Sequence, residues 1–198
     1  MKVMLTPFDA LIVVDVQKDF CPGGALAVPD GDKVVEPLNS YIELFKKAGL
    51  PIFATRDWHP EKHVSFSING GLWPVHCLQN SEGAKFHENL KLPPDTFIIN
   101  KGDRPELEAY SGFQATVLNE LLQERGVKRI FVGGLATDYC VKNTVIGGLN
   151  LGFTVFVLLD AVKAVDVNVG DGEKAIIEML SRGAIGVVRE EVYYGDEF

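Results

Sequence analysis

Cysteine is scarce in this chain, three among 198 residues. A small, odd number spread over such a length builds no disulfide framework, and it fits a protein of the reducing cytoplasm. Long apolar runs are missing too. The longest, such as 10–16 and 154–159, fall far short of the roughly 20 residues a membrane span needs. The N-terminus lacks a charged, then apolar, then small-residue pattern, and Asp9 and Asp15 flank its apolar run, which argues against a signal peptide. No Lys/Arg-rich run occurs. Nineteen basic residues against 27 acidic ones leave a net charge of −8, so nucleic acid and anionic membrane are poor partners. Low-complexity segments, long linkers and fixed-period repeats are also absent. The remaining class is one globular domain over 1–198, large enough to bury roughly 70% of its unfolded surface without covalent staples.

What is present is an alternation of short β-branched runs with helical stripes. Residues 10–16 form a continuous apolar run closed by an acid, the pattern of a strand buried on both faces. A helix is expected over 34–48, with Val35, Leu38, Ile42 and Phe45 on one stripe, a cationic last turn and Gly49 as its stop. Further strands are expected at 51–55, 96–100, 129–132, 153–159 and 184–188, and further helices at 114–125, 140–149 and 172–182. Such alternation predicts βαβ units in an α/β fold, a three-layer αβα open sheet. The segment 57–94 interrupts it, and loops that long in a compact domain are usually functional.

In open parallel sheets, ligands bind beyond the carboxyl ends of the strands. Asp15, Asp57 and Lys101 close or follow the first three strands, and Cys140 opens the helix after the fourth. Asp57, His59, His63 and His76 are carboxylate and imidazole donors of the kind zinc, iron or manganese accept. Asp57 and His59, two apart in an extended segment, project to the same side. The competing reading is a hydrogen-bonded aromatic loop, and three histidines clustered in one segment weaken it. His87 stands apart as an ordinary surface or packing residue. Around Cys140, Gly133 and Gly134 let the chain turn sharply, and Thr137 or Asp138 can cap the next helix. That places Cys140 in a first turn, where free N–H groups and the dipole favour a thiolate. Cys21 and Cys77 read as inert packing residues. An acid at the end of a buried strand is costly unless paired, and Lys101 can partner Asp15 or the thiolate. Cysteine, carboxylate and lysine together suggest acyl transfer through a thioester.

Six stretches in order, Ile12–Phe20, Asp57-Trp-His59-Pro, Trp73-Pro-Val-His76-Cys, Lys101-Gly102, Tyr110–Phe113 and Gly134–Val141, resemble the nicotinamidase branch of the isochorismatase-like cysteine hydrolases. The resemblance runs from about residue 8 to 188. It implies a doubly wound sheet of six parallel strands and hydrolysis of nicotinamide to nicotinate and ammonia in NAD salvage, with pyrazinamide as a further substrate. By resemblance Asp15, Lys101 and Cys140 are the triad, and Cys140 is the nucleophile. Asp57, His59 and His76 would hold one divalent ion, zinc first, with iron or manganese as alternatives. Phe20 and Trp73 match pocket walls. Leu135–Ala136 matches a cis peptide, and the N–H groups of Ala136 and Cys140 would face the oxyanion. Tyr139 stands at the rim where some members carry histidine. His63 is a ligand in some relatives only and is left unassigned. Self-association is open.

Two rival readings follow. A carbamoyl or ureido amidohydrolase of the same family would share Asp15, Lys101 and Cys140 but lack the metal set. A non-catalytic metal-binding protein would be expected to have lost at least one of those three, and none is lost.

Overall fold

The structure, a computed structural model, describes residues 1–195; the last three positions of the expected 1–198 domain lie outside the described residues. Its elements in chain order are β1 (Val3–Met4), β2 (Asp9–Val14), α1 (Val35–Lys47), β3 (Ile52–Asp57), β4 (Phe97–Lys101), α2 (Leu118–Glu124), β5 (Arg129–Leu135), α3 (Lys142–Asn150), β6 (Thr154–Lys163), α4 (Asp171–Ser181), β7 (Ile185–Val187) and β8 (Val192–Tyr193).

β2 to β7 form one six-stranded parallel sheet in the order β4-β3-β2-β5-β6-β7. The chain winds outward from β2 through β3 to β4, returns across β2 to β5, and winds the other way. This is the doubly wound arrangement, with its switch point between β2 and β5. All six residues of β2 are buried, which explains why its sequence does not alternate. Leu11 and Val13 face the layer that holds α1, with Leu38, Tyr41 and Phe45. Ala10, Ile12 and Val14 face the opposite layer with Leu118, Leu122, Val145 and Met179 from α2, α3 and α4. Each fully buried Leu, Ile or Phe in these layers stabilises the fold by about 1.5–3 kcal/mol. The sheet also carries a charged rivet. Asp9, fully buried at the start of β2, accepts two 2.6 Å hydrogen bonds from Arg129 at the start of β5.

Three expectations change in detail. The helix expected over 114–125 is α-helical only over Leu118–Glu124. Ala115 has φ 54, and the Thr116 hydroxyl accepts from the Leu118 N–H, so helical geometry cannot begin earlier. β5 and β6 run further than expected, to Leu135 and Lys163, with a register shift between them at Val132 and Gly134. The helix expected to open at Cys140 opens at Lys142, preceded by a π-helical turn at Thr137–Val141. A two-stranded parallel sheet of β1 and β8 lies outside the expected elements. Between β3 and β4 the long segment carries a single short helical turn at Ser67–Asn69 and three isolated bridges. No helix among the described residues is long and apolar enough to cross a membrane.

Candidate active site

β2, β3, β4 and β5 deliver their carboxyl ends to one place. Asp15 follows β2 directly. Its φ of 49 ends the strand, and Thr55 of β3 donates to Asp15 Oδ1 at 2.6 Å. Lys101, the last residue of β4, is fully buried and lies at the centre. Its Nζ is 2.8 Å from Asp15 Oδ2 and donates to Asp57 Oδ1 at 2.5 Å, to the Ala109 carbonyl at 3.1 Å and to Cys140 Sγ at 3.3 Å. One ammonium therefore joins the carboxylate, the thiol and the first candidate metal ligand, a link the sequence reading left open.

Cys140 is held by the π-helical turn after β5, and the preceding Leu135–Ala136 peptide is cis. Gly134 is needed here: at φ 126 a Cβ would meet the Val14 carbonyl oxygen at 2.1 Å, so only glycine lets β5 run this close to β2. Burial pushes the Cys140 thiol well above its ordinary range, and the nearby carboxylates of Asp15 and Asp57 add to this against the pull of Lys101. The turn that carries Cys140 is π-helical, and α3 opens only at Lys142, which corrects the expected placement in a first α-helical turn. Burial likewise raises Asp15, with Lys101 opposing and Asp57 reinforcing the shift. At Asp57 burial also works upward, but the Lys101 ammonium opposes it and the carboxyl is held well below the usual range. The opposing shifts make Asp15 a group able to take and return a proton, and keep Asp57 an anion.

Asp57 Oδ2 is 3.4 Å from His59 Nε2 and 3.8 Å from His76 Nε2. Donor atoms of these three buried residues lie within 4.8 Å of one another. His59 Nδ1 bonds the Gly102 carbonyl at 2.8 Å, and His76 Nδ1 bonds the Pro74 carbonyl at 2.8 Å. A carbonyl accepts only from N–H, so both rings present a bare Nε2 toward Asp57. His59 Nε2 is buried without a hydrogen-bond partner. That orphaned nitrogen, the fixed tautomers and the anionic carboxylate suit a borderline divalent cation. Gly102 explains its own place in the sequence, because at φ 60 a Cβ would strike the His59 ring at 2.5 Å. His63 is outside the donor set. Its Nδ1 meets Ser65 Oγ at 2.6 Å, its Nε2 bonds the Leu107 carbonyl at 3.0 Å, and its ring stacks on His59 at 4.0 Å. Burial lowers His63 to about 4 and keeps it neutral. His87 is partly buried, and its ring accepts a local bond from the Asn89 N–H.

Above these groups a pocket opens that takes in Cys140, Asp57 and His76. Phe20 lies against His76 with ring centroids 5.6 Å apart. Trp73 meets Tyr139 edge-on at 5.0 Å and donates its indole N–H to the Tyr110 hydroxyl at 3.0 Å. Ala136 and Tyr139 line the same pocket. Leu26, Val28, Tyr110 and Val165 line it as well, and sequence reasoning missed them as walls. Tyr110 was within reach, being part of a stretch singled out by resemblance. Gln17 was also missed: its side-chain amide donates to the carbonyls of Asp57 and Ala84 and accepts the Asp57 N–H, clamping the ligand strand. A larger surface depression along α1 and residues 87–91 shares no lining residue with this pocket.

The arrangement offers a buried thiol, an adjacent proton carrier, a fixed positive charge, a cation site and an aromatic-walled pocket. Residues 9–190 match the model of the isochorismatase domain. The nicotinamidase of Escherichia coli (strain K12) is 39% identical over 199 residues, covering 90% of this chain and 93% of the relative. The crystal structure of the pyrazinamidase of Pyrococcus horikoshii in complex with zinc is 52% identical. It superposes with a TM-score of 0.88, covering 92% of this chain and 99% of the other. PnC1 from L. infantum in complex with nicotinate is 33% identical with a TM-score of 0.91, covering 98% and 100%. The chain belongs to the isochorismatase family, in its nicotinamidase and pyrazinamidase branch.

Proposed function

We propose that this protein hydrolyses nicotinamide to nicotinate and ammonia, in the salvage of nicotinamide for NAD synthesis, and accepts pyrazinamide as well. The observation that carries the reading is the Lys101 ammonium, which bonds Cys140, Asp15 and Asp57 together beneath the pocket. A nucleophile and a metal-ligand set are thereby joined at one floor.

The ring enters between Phe20 and Trp73. Asp57, His59 and His76 would hold one divalent ion, zinc first and iron or manganese as alternatives, which supplies a Lewis-acidic anchor for the pyridine nitrogen and so orients the amide. Asp15 takes the Cys140 proton as sulfur attacks the carboxamide carbon. Lys101 compensates the negative charge that this exchange moves between sulfur and carboxylate. The N–H groups of Ala136 and Cys140 receive the oxyanion, and removing one such donor typically costs about 10²–10³ in rate. Asp15 then delivers its proton to the amide nitrogen as the C–N bond breaks, and ammonia leaves. A water molecule loses one proton to Asp15 and attacks the thioester; collapse returns that proton to sulfur and frees the acid, which sheds its own proton to solvent as nicotinate.

Ammonia release from nicotinamide tests the reading. The metal-loaded protein is expected to release it, to stop when treated with chelator, and to recover on adding zinc. Elemental analysis is expected to find about one divalent ion per chain, lost in His76→Ala. Turnover of a ureido acid that chelator leaves untouched, with none of nicotinamide, would overturn the reading in favour of the carbamoyl-type relatives.

A further inference from the structure

We propose that Asp138 is a positioning residue that fastens the pocket wall at Val165 to the turn bearing Cys140; the proposal rests on the amidase reading above. The sequence suggested Asp138 as a helix cap, but α3 has no side-chain cap. Instead its buried carboxylate crosses to the loop after β6. Oδ1 accepts the Val165 N–H and Oδ2 the Asp166 N–H, each at 2.9 Å. Two bonds from a carboxylate to successive amides fix both position and direction of that loop. Asp166 passes the constraint on: held at φ 53, its Oδ1 accepts the Gly172 N–H at 2.7 Å, at the start of α4.

The loop matters because of what it presents. Val165 lines the pocket together with Leu26, Val28 and Ala136, and it packs against the core layer that includes Phe20, Leu135 and Ala136. Residues 166–169, beyond it, are exposed, so no packing there replaces the carboxylate if it is lost. Asp138 thus continues, past the last β5–β6 pair of Leu135 with Lys163, the tie between two parts of the site where they leave the sheet. The nucleophile turn belongs to β5, and the wall belongs to the connection from β6 to α4. The Asp138 carboxylate bonds the backbone amides of the wall loop, whereas Lys101 bonds Cys140, Asp15 and Asp57. Loss of the Asp138 carboxylate should therefore weaken binding more than it slows chemistry.

The test compares Asp138→Asn and Val165→Ala with the parent enzyme. An asparagine keeps one acceptor and turns its amide against the second N–H. Expected in Asp138→Asn are faster hydrogen exchange at the Val165 and Asp166 amides, and a rise of about tenfold in KM for nicotinamide and in the nicotinate dissociation constant. The fall in kcat should be smaller than the rise in KM, and metal content unchanged. Val165→Ala should shift KM the same way, and the double variant should cost less than the sum of the two. Loss of melting temperature with KM and nicotinate binding unchanged would mean a purely structural role and overturn the proposal. Unchanged exchange at the two amides would overturn it independently of any substrate. Should Asp138→Asn fail to fold, an unchanged KM in Val165→Ala overturns it as well. A parent enzyme that leaves nicotinamide intact sinks the amidase reading itself, and this proposal with it.

Discussion

At the scale of single residues, the site depends on Lys101 remaining charged although it is buried. Burial works against the ammonium, but Asp15, Asp57 and Cys140 outweigh it and raise its pKa well above the ordinary lysine range. A buried charge with four polar partners is costly to orphan. Asp15 and Lys101 then have separable tasks. Asp15→Asn cannot accept the thiol proton and is expected to form no covalent adduct with substrate. Lys101→Ala keeps the base but loses the compensating charge, so it is expected to form the adduct slowly. It should also unfold more easily, by about 3 kcal/mol, because two buried carboxylates lose their shared partner. Intact-mass spectrometry after rapid quenching reads both variants. Adduct appearing in Asp15→Asn as fast as in the parent would show that another group activates Cys140.

At the scale of elements, close approach of β2 and β5 brings Asp15 and Cys140 together. Gly134→Ala places a Cβ against the Val14 carbonyl oxygen and demands a φ that alanine avoids. The two strands must part there. The expected outcome is a loss of stability of about 1–3 kcal/mol from backbone strain and a fall in kcat/KM of at least about 10². Urea unfolding and ammonia assays check both, and a variant with parent kinetics would show that the strand contact does not set the site. The six main strands were legible because apolar, β-branched runs such as 10–14 and 129–132 fit strands buried on both faces of a sheet. Strand ends also placed Asp15, Asp57 and Lys101 correctly in the fold. What escaped has local causes. A two-residue pair such as β1 with β8 leaves no periodicity to read. The left-handed Ala115 that shortens α2 carries no compositional warning. The π turn around Cys140 looks like the start of an ordinary helix. Asp138 was legible as a polar residue near a helix start. Its true partners are two backbone amides on a different connection, and amides have no signature in sequence.

At the scale of the whole molecule, two apolar layers on a parallel sheet hold the fold, with polar groups admitted at few points. Tyr41 is one of them. It is fully buried on α1 and donates to Asp160 Oδ1 of β6 at 2.9 Å. Burial, reinforced by the Asp160 charge, lifts its phenol far above the ordinary value near 10. The fold keeps this proton at a pH where the unfolded chain releases it, so stability is full below about pH 10 and falls above it by up to about 1.4 kcal/mol per pH unit. Tyr41→Phe is expected to lose about 1 kcal/mol at neutral pH, the worth of one hydrogen bond. Between pH 10 and 12 it should decline less steeply than the parent, as chemical denaturation at each pH will report; equal slopes would contradict the assignment. Around that core the switch point gathers the thiol, the carboxylate, the lysine and the cation ligands into one pocket, and the central claim is that the thiol of Cys140 makes and breaks the amide-derived bond. The most direct test is ammonia release from nicotinamide by Cys140→Ala, with its circular dichroism and metal content matched to the parent. The account predicts a rate below about 1% of the parent's, since water has no comparable route through an acyl-enzyme. A folded, metal-loaded Cys140→Ala that retains several per cent or more of the parent rate would contradict it.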